Sequence, residues 1–261
     1  INDHLQVQAS ILGSFIDEES RGRDSVPNKT KFTPAIFMSY KPFRSENLFF
    51  RAFYKQSHRM PTFNDLYYTD MGNAALKPET ATQYNLGVMH EIPLNGIATS
   101  LQTQVDVYYN YVKDKIVAYP KGQQFRWTML NLGKVDIRGI DASMSTTFLL
   151  PREVSLTTKL QYTYQEAIDI TQKSDNYYRH QIPYIPWHSG SFTSMLSWGT
   201  WYLNYSFIYV GERYNQQENI RYNYTQPWYT HDISIVKGIN LKKVNIRLTA
   251  EINNLLSQDY D

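Results

Sequence analysis

The sequence predicts an all-β protein that folds as an antiparallel transmembrane β-barrel, and three observations support this prediction. About eleven segments of roughly ten residues alternate apolar and polar side chains, with tyrosine, phenylalanine and tryptophan near their ends. The connections between these segments alternate between short and long. No apolar run approaches the roughly twenty residues that a membrane helix needs, whereas a barrel strand exposes only alternate residues to lipid.

The last strand candidate, residues 245–253, shows the alternation most clearly. Every second residue from Ile246 to Ile252 is apolar, and the residues between them are polar or charged. Successive side chains of a strand point to opposite faces of the sheet, so one face meets an apolar environment and the other a polar one.

Ten further segments precede this one and show the same alternation. The segment 101–111, for example, places Val105 and Val107 on one face and Gln104 on the other. In chain order, the ten strand candidates span residues 6–15, 36–41, 48–55, 83–92, 101–111, 140–148, 154–164, 191–198, 201–209 and 231–236.

The connections also favour a barrel. Short ones, rich in proline, glycine and asparagine, are expected at residues 42–47, 93–96, 151–153, 199–200 and 238–240. Long loops are expected at residues 17–34, 56–82, 113–134, 166–188 and 211–230. Outer-membrane barrels have short periplasmic turns and long extracellular loops. A large soluble β-sandwich is the alternative, but tight hairpins at one end only argue against it.

Composition excludes several classes of function. The 26 Lys and Arg are nearly balanced by 24 Asp and Glu, and a net charge of +2 argues against nucleic-acid binding. The absence of cysteine excludes disulfides, cysteine nucleophiles and thiolate metal sites.

The 22 tyrosines suit strands at a membrane interface. The start at Ile1 carries no secretory signal, so we expect a cleaved signal or an internal piece of a longer chain.

A series of short sequence boxes runs along the chain in a fixed order. Arg59 and Pro61 follow a strand candidate and precede an acidic-Leu-aromatic step at Asp65. The next segment contains Asn73, Leu76, Pro78 and Glu79. Later segments of the series are Asn131-Leu132-Gly133, Gly139-Ile140-Asp141, Ile182-Pro183-Tyr184-Ile185-Pro186-Trp187-His188 and Ile252-Asn253-Asn254-Leu255-Leu256. In this order the series resembles the barrel of TonB-dependent outer-membrane receptors over essentially the whole chain.

This resemblance implies that the chain is part of a larger barrel. Family members have 22 strands around a plug domain, and the boxes seen here belong to the carboxy-terminal half. We therefore expect residues 1–261 to be the C-terminal half of the barrel, with the plug domain and the last strand absent. An isolated flat half-barrel would leave unpaired strand edges, so it should not be stable alone.

The resemblance also implies active uptake of a bulky, scarce nutrient across the outer membrane of a Gram-negative bacterium. Expected partners are the TonB motor complex, through the missing plug, and outer-membrane lipid. A ferric siderophore is the leading ligand, with haem and cobalamin as alternatives. No resident cofactor or metal is expected.

Candidate ligand contacts are loop residues with aromatic faces or charge, because such side chains combine a large contact area with directional hydrogen bonding. Each of them could instead belong to an outer aromatic girdle or pack within its own loop. The candidates are Tyr67, Tyr68, Asp70, Tyr177, Tyr178, Arg179, Tyr214, Arg221, Tyr222 and Tyr224.

The box residues Arg59, Pro61, Asn73, Leu76, Pro78 and Glu79 are expected to be structural, since proline at a strand end needs no ligand to explain it. Haem receptors of the family have an iron-ligating histidine between the two boxes, and this chain has none between Pro61 and Asn73. His58 is nearby, but we expect an ordinary strand-end residue there.

Enzyme activity has little support in the sequence. The six histidines show no metal-ligand pair spacing, and no nucleophile elbow or phosphate-binding glycine loop is present. A barrel hydrolase with a Ser–His pair and a passive porin remain as alternative classes.

Overall fold

Eleven strands form one antiparallel sheet in which each strand pairs with its neighbours in sequence. The computed structural model describes residues 4–16, 29–68, 71–120, 127–242 and 244–259. The strands of the large sheet are β1 (Leu5–Ile16), β2 (Lys29–Tyr40), β3 (Asn47–Arg59), β4 (Glu79–Pro93), β5 (Ala98–Pro120), β6 (Trp127–Leu150), β7 (Val154–Asp169), β8 (His188–Trp198), β9 (Trp201–Val210), β12 (Trp228–Asn240) and β13 (Asn245–Ile252).

Four small elements lie in the connections. A helix, α1 (Phe63–Tyr67), follows β3, and a 3-10 turn spans Arg221–Asn223. Strands β10 (Arg213–Tyr214) and β11 (Tyr224–Thr225) pair only with each other. No helix among the described residues is long and apolar enough to cross a bilayer. All eleven predicted strand segments are strands of the large sheet, so the all-β, antiparallel prediction is confirmed.

The predicted loop at residues 113–134 is wrong in its bounds, because β5 continues to Pro120 and β6 begins at Trp127; residues 121–126 lie outside the described residues. Backbone pairing persists where the outward alternation stops, as at the facing pair Lys113 and Lys134. A strand that extends beyond the lipid needs no apolar outward face, so the sequence pattern disappears before the strand does. For the same reason the predicted loops at 17–34, 56–82, 166–188 and 211–230 are too long.

The predicted turn at residues 238–240 is also wrong. Gly238 lies inside β12, faces Arg247 across the ladder and donates its N–H to the Thr200 carbonyl at 2.8 Å. Directly after β12, the Leu241 N–H donates to the Val244 carbonyl at 2.9 Å, so the chain turns back there. Glycine and asparagine at a strand end gave a misleading turn signal, because both are tolerated in a paired strand.

The register assigns one face of the sheet to lipid. Val107 faces Leu86 on β4 and Ile140 on β6, so all three side chains project on the same side. These side chains are large, apolar and exposed, with Val107 at 52% and Leu86 at 62%. Exposed apolar side chains over a whole sheet face mark a surface that meets an apolar phase.

Aromatic side chains border this apolar face at both ends. Near the long loops, Tyr84 lies between Tyr54 and Tyr109, with ring centroids 5.3 and 6.3 Å away. Near the short turns, Trp198 faces Trp201, and Lys237 Nζ lies 4.4 Å from the Trp201 ring centroid. Tyrosine and tryptophan at these two levels are the interfacial girdles of an outer-membrane barrel.

The opposite face is polar and faces the barrel interior. Arg51 Nη2 and Asp106 Oδ2 are 3.4 Å apart, although β4 runs between their strands. They reach each other over Gly87, where a Cβ would overlap the Asp106 carboxylate. Gln104 Nε2 donates to the same Asp106 oxygen at 2.6 Å. The interior therefore carries paired charges, not an apolar core.

A second glycine lets a tyrosine cross a strand in the same way. Tyr108 donates its hydroxyl to Gln165 Oε1 at 3.4 Å over Gly139. A Cβ on Gly139 would lie 2.5 Å from the Tyr108 hydroxyl and would also contact the Tyr164 carbonyl.

We expect Gly139→Ala to lower barrel stability by about 1–3 kcal/mol, because a backbone carbonyl on one side leaves the new methyl group no room. The temperature at which the barrel loses its heat-modifiable mobility on gels should fall. Gly96→Ala is the matched control, since nothing lies within 4 Å of its Cβ position. Equal melting of the two variants would contradict the close approach at Gly139.

Candidate functional site

The candidate site residues lie at the long-loop end of the sheet, in two packed groups. The first, here called the helix lobe, comprises residues 60–78 and the part of the β5–β6 hairpin beyond residue 112. The second, here called the paired-loop lobe, comprises residues 170–187 and 211–227.

The helix lobe begins directly after β3, which ends at Arg59, and Pro61 lies two residues beyond that end. Thr62 caps α1 through a capping box, in which the Asp65 N–H donates to Thr62 Oγ1 at 3.2 Å and the Thr62 N–H donates to Asp65 Oδ2 at 2.9 Å. This cap turns the chain so that Leu66 becomes buried. Sequence patterning missed the helix because five residues are too few to show a helical period.

Asparagine side chains attach the helix lobe to the hairpin. Asn73 Nδ2 donates to the Met129 carbonyl at 3.0 Å. Asn131 bonds both backbone groups of Lys77, at 2.8 and 3.0 Å, and its amide also donates to the Asp114 carbonyl at 2.7 Å. Leu66, Leu76 and Ile116 are buried together as a result.

A carboxylate joins the base of this lobe to the hairpin. Glu79 Oε2 accepts the backbone N–H of Ile116 at 3.1 Å and lies 3.4 Å from Arg59 Nε. Lys115 Nζ lies 4.0 Å from Glu79 Oε1, and Arg59 Nη1 lies 3.8 Å from the Asp65 carboxylate. The Glu79 side chain is only 14% exposed, so these contacts are less screened than surface ion pairs.

The structure therefore brings the box residues Arg59, Asn73, Leu76 and Glu79 into one contact network, although twenty residues separate the first from the last. Pro61 and Pro78 mark its two ends, directly after β3 and before β4. His58 faces Thr80 near the end of β3. No three His, Asp or Glu residues in the described part of the chain are placed to hold a metal ion.

The paired-loop lobe is organised by Gln181, whose side chain is 1% exposed. Gln181 Oε1 accepts the Ala167 N–H at 2.8 Å, and Nε2 donates to the carbonyls of Gln165 and Ile185, both at 3.2 Å. The Asn219 side chain bonds the backbone N–H and C=O of Gln181 at 2.6 and 3.0 Å. The Asn219 side chain thus forms the two hydrogen bonds that a neighbouring strand would form, and it links the two loops.

Aromatic rings form the second contact between these loops. Trp187 and Tyr224 flank Tyr214 at centroid distances of 5.7 and 6.1 Å, each in an edge-to-face arrangement. The Tyr184 N–H donates to the Tyr214 carbonyl at 2.7 Å. The Tyr224 hydroxyl donates to Glu212 Oε2 at 3.1 Å. Partial desolvation, and then this hydrogen bond, raise the pKa of Tyr224 above its usual value, so its hydroxyl remains a donor at physiological pH.

The candidate ligand contacts do not form one cluster. Tyr214 and Tyr224 pack against each other, whereas Tyr67 packs against Phe63 and the buried part of the helix lobe. Tyr177 and Tyr178 are half-buried. The exposed candidates are Tyr68, Arg179, Arg221 and Tyr222, and Tyr222 is 90% exposed. Asp70 lies outside the described residues.

Sequence reasoning missed Gln181, Asn219 and Trp187. The two amides lie 38 residues apart and resemble any other polar loop residue, so no local signal identified their pairing. Trp187 stands in a recognised box, and its aromatic character was the available signal.

We expect Gln181→Ala to loosen the paired-loop lobe, because it removes a buried side chain that makes three hydrogen bonds and leaves the Ala167 N–H unpaired, at a cost of about 1–3 kcal/mol. Amide hydrogen exchange over residues 170–187 should become faster. Gln172→Ala, an exposed change in the same loop, should leave that exchange unaltered. Unchanged exchange in both variants would contradict the role of Gln181.

Known proteins resemble the chain both in sequence and in structure. The sequence model described as TonB dependent receptor-like, beta-barrel matches residues 3–255. The vitamin B12 transporter BtuB of Photobacterium profundum is 25% identical over 211 residues, which cover 77% of this chain and 30% of that protein. BtuB of Vibrio vulnificus is 35% identical over 83 residues, or 32% of this chain and 13% of that protein.

Solved structures share the fold. The copper transporter OprC superposes with a TM-score of 0.69 at 15% identity and covers all of this chain and 41% of its own. BauA, the ferric preacinetobactin receptor from Acinetobacter baumannii, gives 0.66 at 16% identity, covering 98% and 37%. The chain thus spans less than half the length of these relatives.

Proposed function

Because the chain belongs to the TonB-dependent receptor β-barrel family, we propose that residues 1–261 form the C-terminal half of the barrel of a receptor that imports a ferric siderophore. The family resides in the outer membrane of Gram-negative bacteria, and its members are transport receptors, not enzymes. In this proposal the chain supplies barrel wall, polar lumen and part of the capture surface, while a plug domain, which would lie outside this chain, couples it to the TonB motor. It performs no covalent chemistry on its ligand.

Two observations together support the proposal: the family match, and the exposed aromatic and cationic side chains of the two lobes. Above an apolar belt and a polar lumen, the two lobes expose the aromatic residues Tyr68 and Tyr222 and the cations Arg179 and Arg221. Many ferric chelates are anionic and have flat, unsaturated ligand arms. Arginine and tyrosine match such ligands through charge-assisted hydrogen bonds and ring contacts.

We assign the box residues Arg59, Pro61, Asn73, Leu76, Pro78 and Glu79 to shaping the helix lobe and not to contacting the ligand. Their polar atoms are engaged with the hairpin, as in the Glu79 contacts to Arg59 and the Ile116 N–H. Tyr67 belongs with them, because it packs against the same buried cluster. The exposed residues of the two lobes then bind the ligand.

Cobalamin is the second candidate ligand, since the two curated relatives described above are vitamin B12 transporters. Its many amide groups would suit the tyrosine hydroxyls and loop amides, and its binding would depend little on arginine charge. Haem remains a third ligand to test.

Uptake by the full-length receptor in outer membranes tests the proposal. Labelled ferric siderophores, haem and cobalamin are each supplied with the motor intact or deleted. We expect motor-dependent uptake of a ferric siderophore. Motor-dependent uptake of cobalamin or haem alone would replace the ligand, and motor-independent conductance would favour a porin.

Charge removal separates the two leading ligands. We expect Arg179→Gln with Arg221→Gln to weaken the binding of an anionic ferric chelate roughly tenfold and to leave cobalamin binding unchanged. Arg152→Gln is the matched control, because Arg152 is also exposed, has the same φ of 65° as Arg179, and lies in a short turn at the other end of the sheet. An equal loss with the control, or no loss of chelate binding, would contradict this assignment.

A further inference from the structure

A histidine joins the two loops of the paired-loop lobe. The Asn219 backbone N–H donates to His180 Nδ1 at 3.1 Å, and the Asn219 side chain bonds the backbone of Gln181, the next residue. A backbone N–H can only donate, so Nδ1 must be the acceptor and the imidazole must be neutral. The link between residues 170–187 and 211–227 therefore depends on the protonation state of His180.

Protonation of His180 removes this acceptor. In the imidazolium ion both ring nitrogens carry a proton, so no rotation of the ring restores a hydrogen bond to the Asn219 N–H. Two N–H groups would instead point at each other, which replaces an attraction by a repulsion. His180 is only half-buried, so protons from the solvent can reach it. Acid should therefore push Asn219 away from its position in the lobe.

A buried carboxylate lies next to His180 and can receive the imidazolium. Asp169 ends β7 and is 4% exposed, and its backbone N–H donates to the His180 carbonyl at 3.0 Å. Asp169 Oδ1 accepts the Thr171 N–H at 2.7 Å, whereas Oδ2 is buried and has no hydrogen-bond partner among the described residues. Backbones paired in this way place their Cα atoms about 5.5 Å apart, so the two side chains can meet. An ion pair with His180 would give Oδ2 the partner that a buried carboxylate requires.

His180 is the only histidine in residues 170–187 and 211–227. Histidine ordinarily changes its charge between about pH 5 and 8, whereas carboxylates, lysine and arginine titrate outside this range. His188, just beyond the first loop, bonds the Tyr162 hydroxyl at 2.8 Å instead. No carboxylate in the described part of the chain lies within 4.0 Å of the His180 ring. The charged groups of β7 and the two loops around His180 are Asp169, Lys173, Asp175, Arg179, Glu212, Arg213, Glu218 and Arg221.

We propose that His180 is a pH-sensitive switch that controls the spacing of the two loops. When neutral, it accepts the Asn219 N–H and keeps the loops together; when protonated, it turns to Asp169 Oδ2 and releases Asn219. The tied arrangement binds one proton fewer than the released one, so it is favoured at higher pH and is lost as the pH falls. Arg179 and Arg221 lie on different loops, so release would also change the spacing of these cations. The consequence for the ligand rests on the proposed function, whereas the loop movement does not.

Electron-electron double resonance on the full-length receptor in detergent measures the distance between the loops. Residues 1–261 contain no cysteine, so Lys173→Cys and Tyr222→Cys introduce one exposed spin-label position on each loop. We expect the distance between the labels to lengthen by about 3 Å or more from about pH 8 to about pH 5. Heat-modifiable mobility on gels verifies that the barrel of each variant is folded at both pH values.

Three variants separate the switch from a general effect of acid. His180→Asn places an amide oxygen near the position of Nδ1 and cannot be protonated, so the distance should stay short at both pH values. Asp169→Asn removes the carboxylate that attracts the imidazolium, so the transition should move to lower pH. His90→Asn is the matched control, because His90 lies on β4 near the short turns, and it should respond to pH as the native receptor does.

The switch would be overturned by a label distance that stays constant between the two pH values, or by an equal lengthening in His180→Asn. Ligand binding gives a separate result. At acidic pH, His180→Asn should bind the ferric chelate about fivefold more tightly than the native receptor, because its loops remain tied by the hydrogen bond. Equal affinities in spite of the loop movement would overturn the assignment of ligand capture to these loops, while the movement itself would support the switch.

Discussion

Arginine in place of Val107 or Leu160 is expected to block barrel assembly. Val107 lies between Leu86 and Ile140, and Leu160 between Met144 and Phe192, in the middle of the outward apolar face. Both side chains are about half exposed, at 52% and 48%, on a surface that contacts lipid. A charge at mid-bilayer costs about 2–4 kcal/mol. The folded fraction, measured as heat-modifiable mobility of the full-length receptor on gels, should fall sharply.

The lumen-facing neighbours supply the control. Gln104→Arg places a cation beside Asp106, whose carboxylate already accepts the Gln104 amide at 2.6 Å. Gln161→Arg lies on the same polar face, next to Ser191. Both variants should assemble normally. Equal damage from the lipid-facing and the lumen-facing arginines would refute the assignment of the two faces.

The success of the sequence prediction within the membrane has a physical cause. A strand between lipid and a polar lumen must alternate with a period of two, so segments such as 101–111 carry a strong and local signal. The face assignment of Val107 and Gln104 follows from that signal alone. Aromatic residues near the strand ends, such as Tyr109 and Trp201, reported the interfaces in the same way.

Beyond the membrane the same reasoning loses its basis. Strands β5 and β6 continue as a paired hairpin, but one face packs against loop residues and the other meets water or headgroups, so no fixed alternation is required. Side-chain pairings between distant loops, such as Asn219 with Gln181, depend on tertiary structure that a local pattern does not encode. The candidate site was therefore predictable as a set of loops and not as a set of contacts.

The box residues lie between these two cases. The family resemblance identified Arg59 and Glu79 as box residues with a structural role but did not indicate what they contact. In the structure, the Glu79 carboxylate accepts the Ile116 N–H and lies beside the cations Arg59 and Lys115. The two boxes, which are separate in the sequence, form one contact network in the helix lobe.

Glu79→Ala is the second change for which we expect a large effect. It leaves the Ile116 N–H without its acceptor and brings the positive charges of Arg59 and Lys115 together with no carboxylate between them. Leaving the buried Ile116 N–H without an acceptor costs about 1–3 kcal/mol. Because α1 and the Asn73 segment close onto the hairpin here, we expect protease cleavage within residues 60–78 of the folded receptor to accelerate at least tenfold.

Two comparison variants show which part of the Glu79 carboxylate matters. Glu79→Gln keeps an acceptor for the Ile116 N–H and loses only the charge, so its cleavage rate should lie between those of the native receptor and Glu79→Ala. Glu46→Ala removes an exposed carboxylate from a short turn at the other end and should not alter cleavage. If Glu79→Ala left residues 60–78 as resistant as before, the lobe would be held by the Asn73 and Asn131 hydrogen bonds and the buried Leu66 and Leu76 alone. The Glu79→Ala variant would then also keep its ligand affinity. If Glu79 holds the helix lobe in place, its ligand affinity and its protease resistance should fall together.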